Sequence, residues 1–226
     1  MSSEMSTNPH PVTYYVTPQM EGRNRLTCFF RWLLVIPHAL LVGGASAVGF
    51  SVLGGVFQFA GVGGGSNYFG FGGSGALGLL ASAVAFISWF AIVFTGKQPR
   101  GLWDLVAMYL RWKSNVVAYG ALLRDEYPPF GEGDYPVQFG LGEFPEQRDR
   151  WTVGLRIFLI IPHAIILSFL TIAWAISALI GWLAILFTGS YPEGLYRFAI
   201  GYLRWSLRVE SYFLLMHDEY PPFSLD

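Results

Sequence analysis

Two histidines, His38 and His163, stand in uncharged stretches, and each directly follows a proline in the string "IPHA". Facing imidazoles on two helices are a donor set for haem iron, so the pair defines one chemical candidate: a haem b or quinone site in an electron-transfer subunit. The same residues have a structural reading, in which Pro37 and Pro162 each free a backbone carbonyl that the ring can bond. No acidic or basic partner is offered within these stretches. The HExxH, GxSxG and P-loop spacings are absent, which points away from an enzyme. "GVGGGSNYFGFGGSG" has neither a preceding strand nor a following Lys-Ser/Thr, so it does not read as a phosphate cradle. Cys28 is the single cysteine and reads as a small core residue, and no metal site is expected.

The elements that would position these histidines belong to a membrane protein. Of 226 residues, 53% are apolar and 13% charged, against about 25% charged in soluble domains. Too little charge remains to cover a water-facing surface. A net charge of −1 gives no bulk basicity for a nucleic-acid partner. The N-terminus, residues 1–9, is a polar tail without the pattern of a cleavable signal.

The chain is written twice. "HPVTYYV" at 10–16 aligns with "YPVQFGL" at 135–141, and the same offset of 125 superimposes Arg23 and Arg25 on Arg148 and Arg150, then "RWLLVIPHA" on "RIFLIIPHA". Further on, "FTGKQPRGLW" meets "FTGSYPEGLY", and both "YLRW" and "DEYPPF" meet themselves, at an offset of 93. The difference is one insertion at about 43–75, where 13 of 33 residues are glycine. The units are 10–130 and 135–223.

Charge placement suggests a topology. Trp32 to Gly96 and Ile157 to Pro192 contain no Asp, Glu, Lys or Arg. The first window holds two spans of about 20 residues. The stretch 157–187 is too long for one span, so it reads as a second hairpin from Trp151, with Arg156 snorkelling and about 18 residues per span. The expected architecture is an all-α integral membrane fold of two tandem repeats and four spans. Each repeat has a short β-like strand, a transmembrane helical hairpin and an amphipathic interfacial helix. The positive-inside rule puts both termini in the cytoplasm. In the helices expected at 101–124 and 194–216, Arg197, Arg204 and Arg208 share a stripe with Trp205 nearby, and Arg111 marks the weaker first copy. These five residues are the candidate lipid-headgroup contacts. The strands "PVTYYV" and "PVQFGL" are expected to pair with each other. "DEYPPF" reads as a cap and turn whose aspartates, Asp125 and Asp218, pair with the Arg-x-Arg loops.

The combination of "RWLLVIPHA", "FTG", "YLRW" and "DEYPPF" in both copies resembles an uncharacterised bacterial membrane family, a domain of unknown function. The resemblance implies a multi-pass protein of the bacterial cytoplasmic (inner) membrane, with no assigned activity and no agreed catalytic residues. The glycine insertion departs from that pattern. It carries Phe57, Phe59, Tyr68, Phe69 and Phe71, which are costly to leave in water and so form the candidate partner-binding surface. The expected role is a non-catalytic accessory or scaffold subunit whose partners are membrane lipids and other membrane protein subunits. The alternatives are the electron-transfer subunit on His38 and His163, and a small transporter or lipid-handling protein.

Overall fold

The computed structural model of the chain describes residues 10–43 and 75–226. The aromatic residues Phe57, Phe59, Tyr68, Phe69 and Phe71 fall outside the described residues. Strand β1 is Thr13–Val16 and strand β2 is Val137–Gly140. They pair antiparallel with Tyr14 facing Phe139 and Val16 facing Val137, which is the expected pairing of the two β-like stretches. Along β1, Tyr14 and Val16 point inward while Thr13 and Tyr15 point to solvent, as alternation in a half-buried strand requires.

Helix α1 is Arg25–Leu34 and helix α2 is Ile36–Val42. The side chain of Asn24 caps α1 by accepting from the N–H groups of Leu26 and Thr27. Pro37, in the first turn of α2, cannot donate to the preceding turn, and its ring crowds the carbonyl four residues back. The helix therefore breaks at Val35, and α1 meets α2 at 42°. Helix α3, Gly75–Thr95, begins against the end of α2. A Cβ on Gly75, whose φ is +65°, would lie 2.5 Å from the backbone nitrogen of Gly43. The chain thus leaves the helical line at Gly43 and rejoins it at Gly75.

The second copy follows the same path without interruption. Asp149 caps helix α5, Arg150–Leu159, and after a break at Ile160 helix α6 runs Ile161–Thr188. Leu167 and Ser168, which match the two edges of the insertion, are consecutive residues of α6. The hairpin expected across 151–187 is therefore corrected to a single helical line. The stretch contains no glycine or proline between Ala164 and Ile180 that would turn the chain back, and excess length alone does not force a turn.

Helix α4 is Arg100–Gly120 and helix α7 is Glu193–Phe213. Each begins just after a glycine with positive φ, Gly96 or Gly189, so α3 turns into α4 and α6 into α7. Gly181 allows the close approach at the second turn, where an added Cβ would lie 2.2 Å from the Tyr191 ring. Both α4 and α7 end at a left-handed leucine, Leu122 (φ 64°) and Leu215 (φ 65°). Such backbone costs roughly 1–2 kcal/mol for a residue with a Cβ. Burial of both leucines holds it in place.

The elements form layers. α3 packs on α2, α4 and α5; α6 packs on α7, α1 and α5. α4 and α7 touch each other, and β2 and β1 cover their other side. α4 and α7 therefore form a middle layer, and the expectation of two interfacial helices is corrected accordingly. Their C-terminal halves, 112–119 and 205–212, are buried throughout. Their charged side chains Lys113, Arg208 and Glu210 find partners inside the protein, which is what removes the need for a headgroup layer. Two helical lines, Gly75–Thr95 and Arg150–Thr188, are long and apolar enough to cross a membrane, or three if α1 and α2 count as one. Only a third of either apolar window is buried within the chain.

Candidate functional site

Each histidine lies in an aromatic cage. Trp112 of α4 donates its indole N–H to Nδ1 of His38 at 3.2 Å, and Trp205 of α7 donates to Nδ1 of His163 at 3.1 Å. Phe130 stacks on His38 with centroids 4.1 Å apart, and Phe223 stacks on His163 at 3.9 Å. Tyr127 and Tyr220 pack tilted against the rings, each 4.9 Å from its histidine. Both rings are fully buried. With Nδ1 accepting, the neutral ring carries its proton on Nε2, which approaches the backbone of Pro128 or Pro221 without full hydrogen-bond geometry. The two cages share no residue. The histidines therefore bond indoles rather than the carbonyls freed by Pro37 and Pro162, and their Nδ1 lone pairs are engaged.

Removing the indole donor should be measurable. Trp205→Phe keeps the aromatic packing but leaves a buried imidazole nitrogen without its donor, which costs about 1–3 kcal/mol. Thermal unfolding in detergent should show the loss, and the corresponding change at Trp112 should lower stability in the same way.

Beside each cage sits an ionic cluster. Asp125 accepts from Arg23 Nη2 at 2.7 Å, from Arg31 Nη2 at 2.6 Å and from the Asn24 N–H at 2.8 Å. Asp218 accepts from Arg148 Nη2 at 2.8 Å, from Arg156 Nη2 at 2.7 Å and from the Asp149 N–H at 3.2 Å. Arg31 also donates to the carbonyl of Tyr119 and lies 4.5 Å over its ring; Arg156 does the same with Tyr212 at 4.1 Å. The expected pairing of the aspartates with Arg23 and Arg148 is present, and the second arginine of each cluster comes from inside α1 or α5. Arg156 is therefore buried in an ion pair, correcting the expectation that it snorkels. Burial alone would raise the pKa of both aspartates, but the arginine hydrogen bonds outweigh it and hold them below the ordinary carboxylate range.

The clusters also tie the two copies to each other. The N–H of Arg23 donates to the carbonyl of Gly189, and that of Arg148 to Gly96. Trp182 donates to the carbonyl of Cys28, and Trp89 to that of Val153. Each exchange is matched by its counterpart at the repeat offsets. Cys28 is buried, as expected of a core residue.

One buried pair has no counterpart. Lys113 of α4 meets Glu210 of α7 at 2.6 Å, and the Tyr109 hydroxyl donates to the same carboxylate oxygen at 3.3 Å. The matching positions hold Ser206 and Val117. A second unexpected contact joins His10 to His217, with ring centroids 4.9 Å apart and both rings buried. Burial first, then the Arg208 charge, lowers the pKa of His10 to about 4. Burial, with His10 and Arg156 adding to it, lowers that of His217 to about 3. In the unfolded chain both titrate near about 6.5. Between these values the unfolded state binds more protons, so stability is complete above about pH 6.5 and falls as the pH drops toward 4. The slope approaches about 1.4 kcal/mol per pH unit for each histidine. Denaturant unfolding between pH 7 and 5 should show it, and His217→Gln should reduce the slope.

The expected headgroup residues are dispersed. Trp205 is in the His163 cage, and Arg208 is buried with its guanidinium on the carbonyls of Val12 and Asp226. Arg204 is half-buried and donates to the Tyr14 carbonyl at 3.3 Å. Arg197 and Arg111 are exposed, but each is paired, with Glu193 and with Glu132. Trp205 and Arg208 are thus corrected from headgroup contacts to interior residues. The cage residues Trp112, Phe130 and Phe223 were missed in the sequence, although each lies in a motif that occurs twice. Among the described residues no group of three or more His, Cys, Asp or Glu is placed to hold a metal ion.

Fold and sites together define a mostly helical protein with long apolar helices outside and polar clusters between them. The family model for a domain of unknown function, DUF4389, matches residues 74–131 and again residues 150–224. The chain belongs to that family. No curated protein and no solved structure matches it.

Proposed function

We propose that the chain is a non-catalytic membrane scaffold, an accessory subunit that docks other proteins of the cytoplasmic membrane. In this reading its units, 10–130 and 135–223, are related by a pseudo-twofold between Tyr14 and Phe139, residues that pair in the sheet and lie at the repeat offset. Both termini are on the cytoplasmic side. One observation carries the proposal: five of the buried cations are neutralised from within. Arg23, Arg31, Arg148, Arg156 and Lys113 are each held by a carboxylate of the chain itself. Chemistry needs a group free to act, whereas these groups fasten helices to loops. The histidine cages fit the same pattern, because an axial haem ligand needs a lone pair that the indoles here occupy at Nδ1.

The test is crosslinking in intact membranes followed by purification of the full chain and of a variant lacking residues 50–75. The full chain should carry a membrane protein in fixed stoichiometry, and the deletion should lose it. Recovery of the full chain alone would overturn the scaffold reading. A Soret band after haem-replete expression would replace it with the electron-transfer subunit.

A further inference from the structure

The two ionic clusters lie at opposite ends of one long helix. The N-terminal end of α6 adjoins the Asp218 cluster: Arg156 precedes it by one turn, and Tyr220 donates to the Leu159 carbonyl at 3.0 Å. Its C-cap, Gly189, accepts from the N–H of Arg23 in the Asp125 cluster. Between these ends α6 runs antiparallel along α7, with His163 bonded to Trp205, Thr171 to Tyr202 at 2.7 Å, and Gly181 against Tyr191. Twenty-eight residues rise roughly 42 Å. If α6 crossed the membrane, the two clusters would face opposite aqueous sides.

The chain between the clusters does not permit that. Residues 126–148 lead from one to the other through β2 and carry Glu132, Asp134, Glu143 and Glu146, all exposed. The segment is irregular apart from a two-stranded sheet, which has no third strand among the described residues. Hydrocarbon does not accept irregular backbone or open sheet edges exposed to lipid. Each acidic side chain would add a further penalty of a few kcal/mol, about 3 on insertion scales. Both clusters and the sheet must therefore face one aqueous phase.

The surface divides in agreement. On α1, α3, α5 and α6 the exposed side chains are mainly large and apolar, among them Phe29, Trp32, Phe94, Trp151, Phe169 and Phe187, with Arg25 and Arg150 at the N-termini of α1 and α5 as the exposed charges. On α4 and α7 only Met108 is an exposed large apolar residue. The exposed charges Arg100, Asp104, Arg111, Glu193 and Arg197 lie on those two helices, and Arg111, Glu193 and Arg197 are on the side of the molecule that also carries β1 and β2.

We propose that the protein is monotopic: the face formed by α1, α3, α5 and α6 sits in the hydrocarbon of a single leaflet, with α6 along the membrane plane. The sheet and both ionic clusters face the same water. The occupant of the apolar face is lipid acyl chain, because its only exposed charges, Arg25 and Arg150, sit at the N-termini of α1 and α5 and leave the rest of that face without charge to match a protein partner. This rests on the membrane part of the scaffold reading and not on its partners.

The test is single-cysteine labelling in a Cys28→Ala background, in sealed vesicles of known orientation, at Gln147→Cys, Asp134→Cys and Gly194→Cys. An impermeant maleimide should label all three from the same side. Labelling of positions 147 and 194 from opposite sides, with the protein still resistant to carbonate extraction, would overturn the monotopic placement and leave the scaffold reading standing. Release of the protein by carbonate would overturn both. Limited proteolysis of the unaltered chain in the same vesicles gives a second readout: cuts in 142–149 and 189–194 should come from one side, and cuts from opposite sides would contradict the proposal even if a variant misfolds.

Discussion

Asp218→Ala is expected to cost roughly 3–5 kcal/mol of stability, the range for removing one partner of a buried ion pair. The side chain of Arg148 is 0% exposed and that of Arg156 is 2%. Without the carboxylate two guanidinium groups would remain in the interior with only carbonyl partners and Gln98. The Asp149 N–H would lose its acceptor as well, loosening the cap of α5. Asp125→Ala should cost a similar amount through Arg23 and Arg31. The two losses should be additive if the clusters are independent, since they lie at opposite ends of α6. Thermal or denaturant unfolding in a fixed detergent measures both. A loss below about 1 kcal/mol, the value of a surface pair, would mean that these arginines reach water.

Glu210→Leu is the second large effect. It strands Lys113, whose side chain is 1% exposed, and again the expected cost is about 3–5 kcal/mol. Burial pulls the lysine pKa down, and the Glu210 carboxylate more than reverses this, so the ammonium stays charged in the native protein. Losing the carboxylate leaves only the burial penalty. The double change Lys113→Met with Glu210→Leu should recover most of the loss, because two apolar residues of similar size replace a desolvated pair at little net cost. A double variant no more stable than Glu210→Leu alone would show that the pair fixes the crossing of α4 and α7 rather than merely neutralising a charge.

Much of this was legible in the sequence, and the reasons differ from element to element. The strands were readable because alternating "TYYV" and its match "VQFG" are short, local patterns. The aspartate clusters were half readable: "DEYPPF" and Arg-x-Arg announce themselves by recurring. Arg156, seven residues before His163, lies where lipid contact was the simpler inference, and Arg31, its match, was given no role. The insertion at about 43–75 was read from the change in repeat offset, but its consequence was not drawn. It interrupts a helical line that the second copy keeps whole, so α6 is the better guide to the architecture. Length misled here. A stretch too long for one perpendicular span was folded into two, although a helix lying in the plane has no such limit.

Helices α4 and α7 were the largest surprise. Arginines at spacings of seven and four beside Trp205 fit a headgroup helix, and local sequence cannot distinguish that from a layer covered on both sides. Coverage is a tertiary fact. It depends on β1 supplying the Tyr14 and Val12 carbonyls to Arg204 and Arg208, far away in the chain. Lys113 and Glu210 left no trace in the repeat, because neither has a charged counterpart in the other copy. His10 and His217 lie at opposite ends of the sequence and could be joined only by the fold.

The placement of α6 is tested most directly by spin labels at Phe169, Ile176 and Leu183, three exposed positions along its length. Their relative accessibility to oxygen and to a water-soluble nickel chelate reports depth. A helix in the membrane plane predicts hydrocarbon accessibility at a similar depth for all three. A depth that changes steadily from position 169 to position 183, as in a helix crossing from one headgroup layer to the other, would contradict the account.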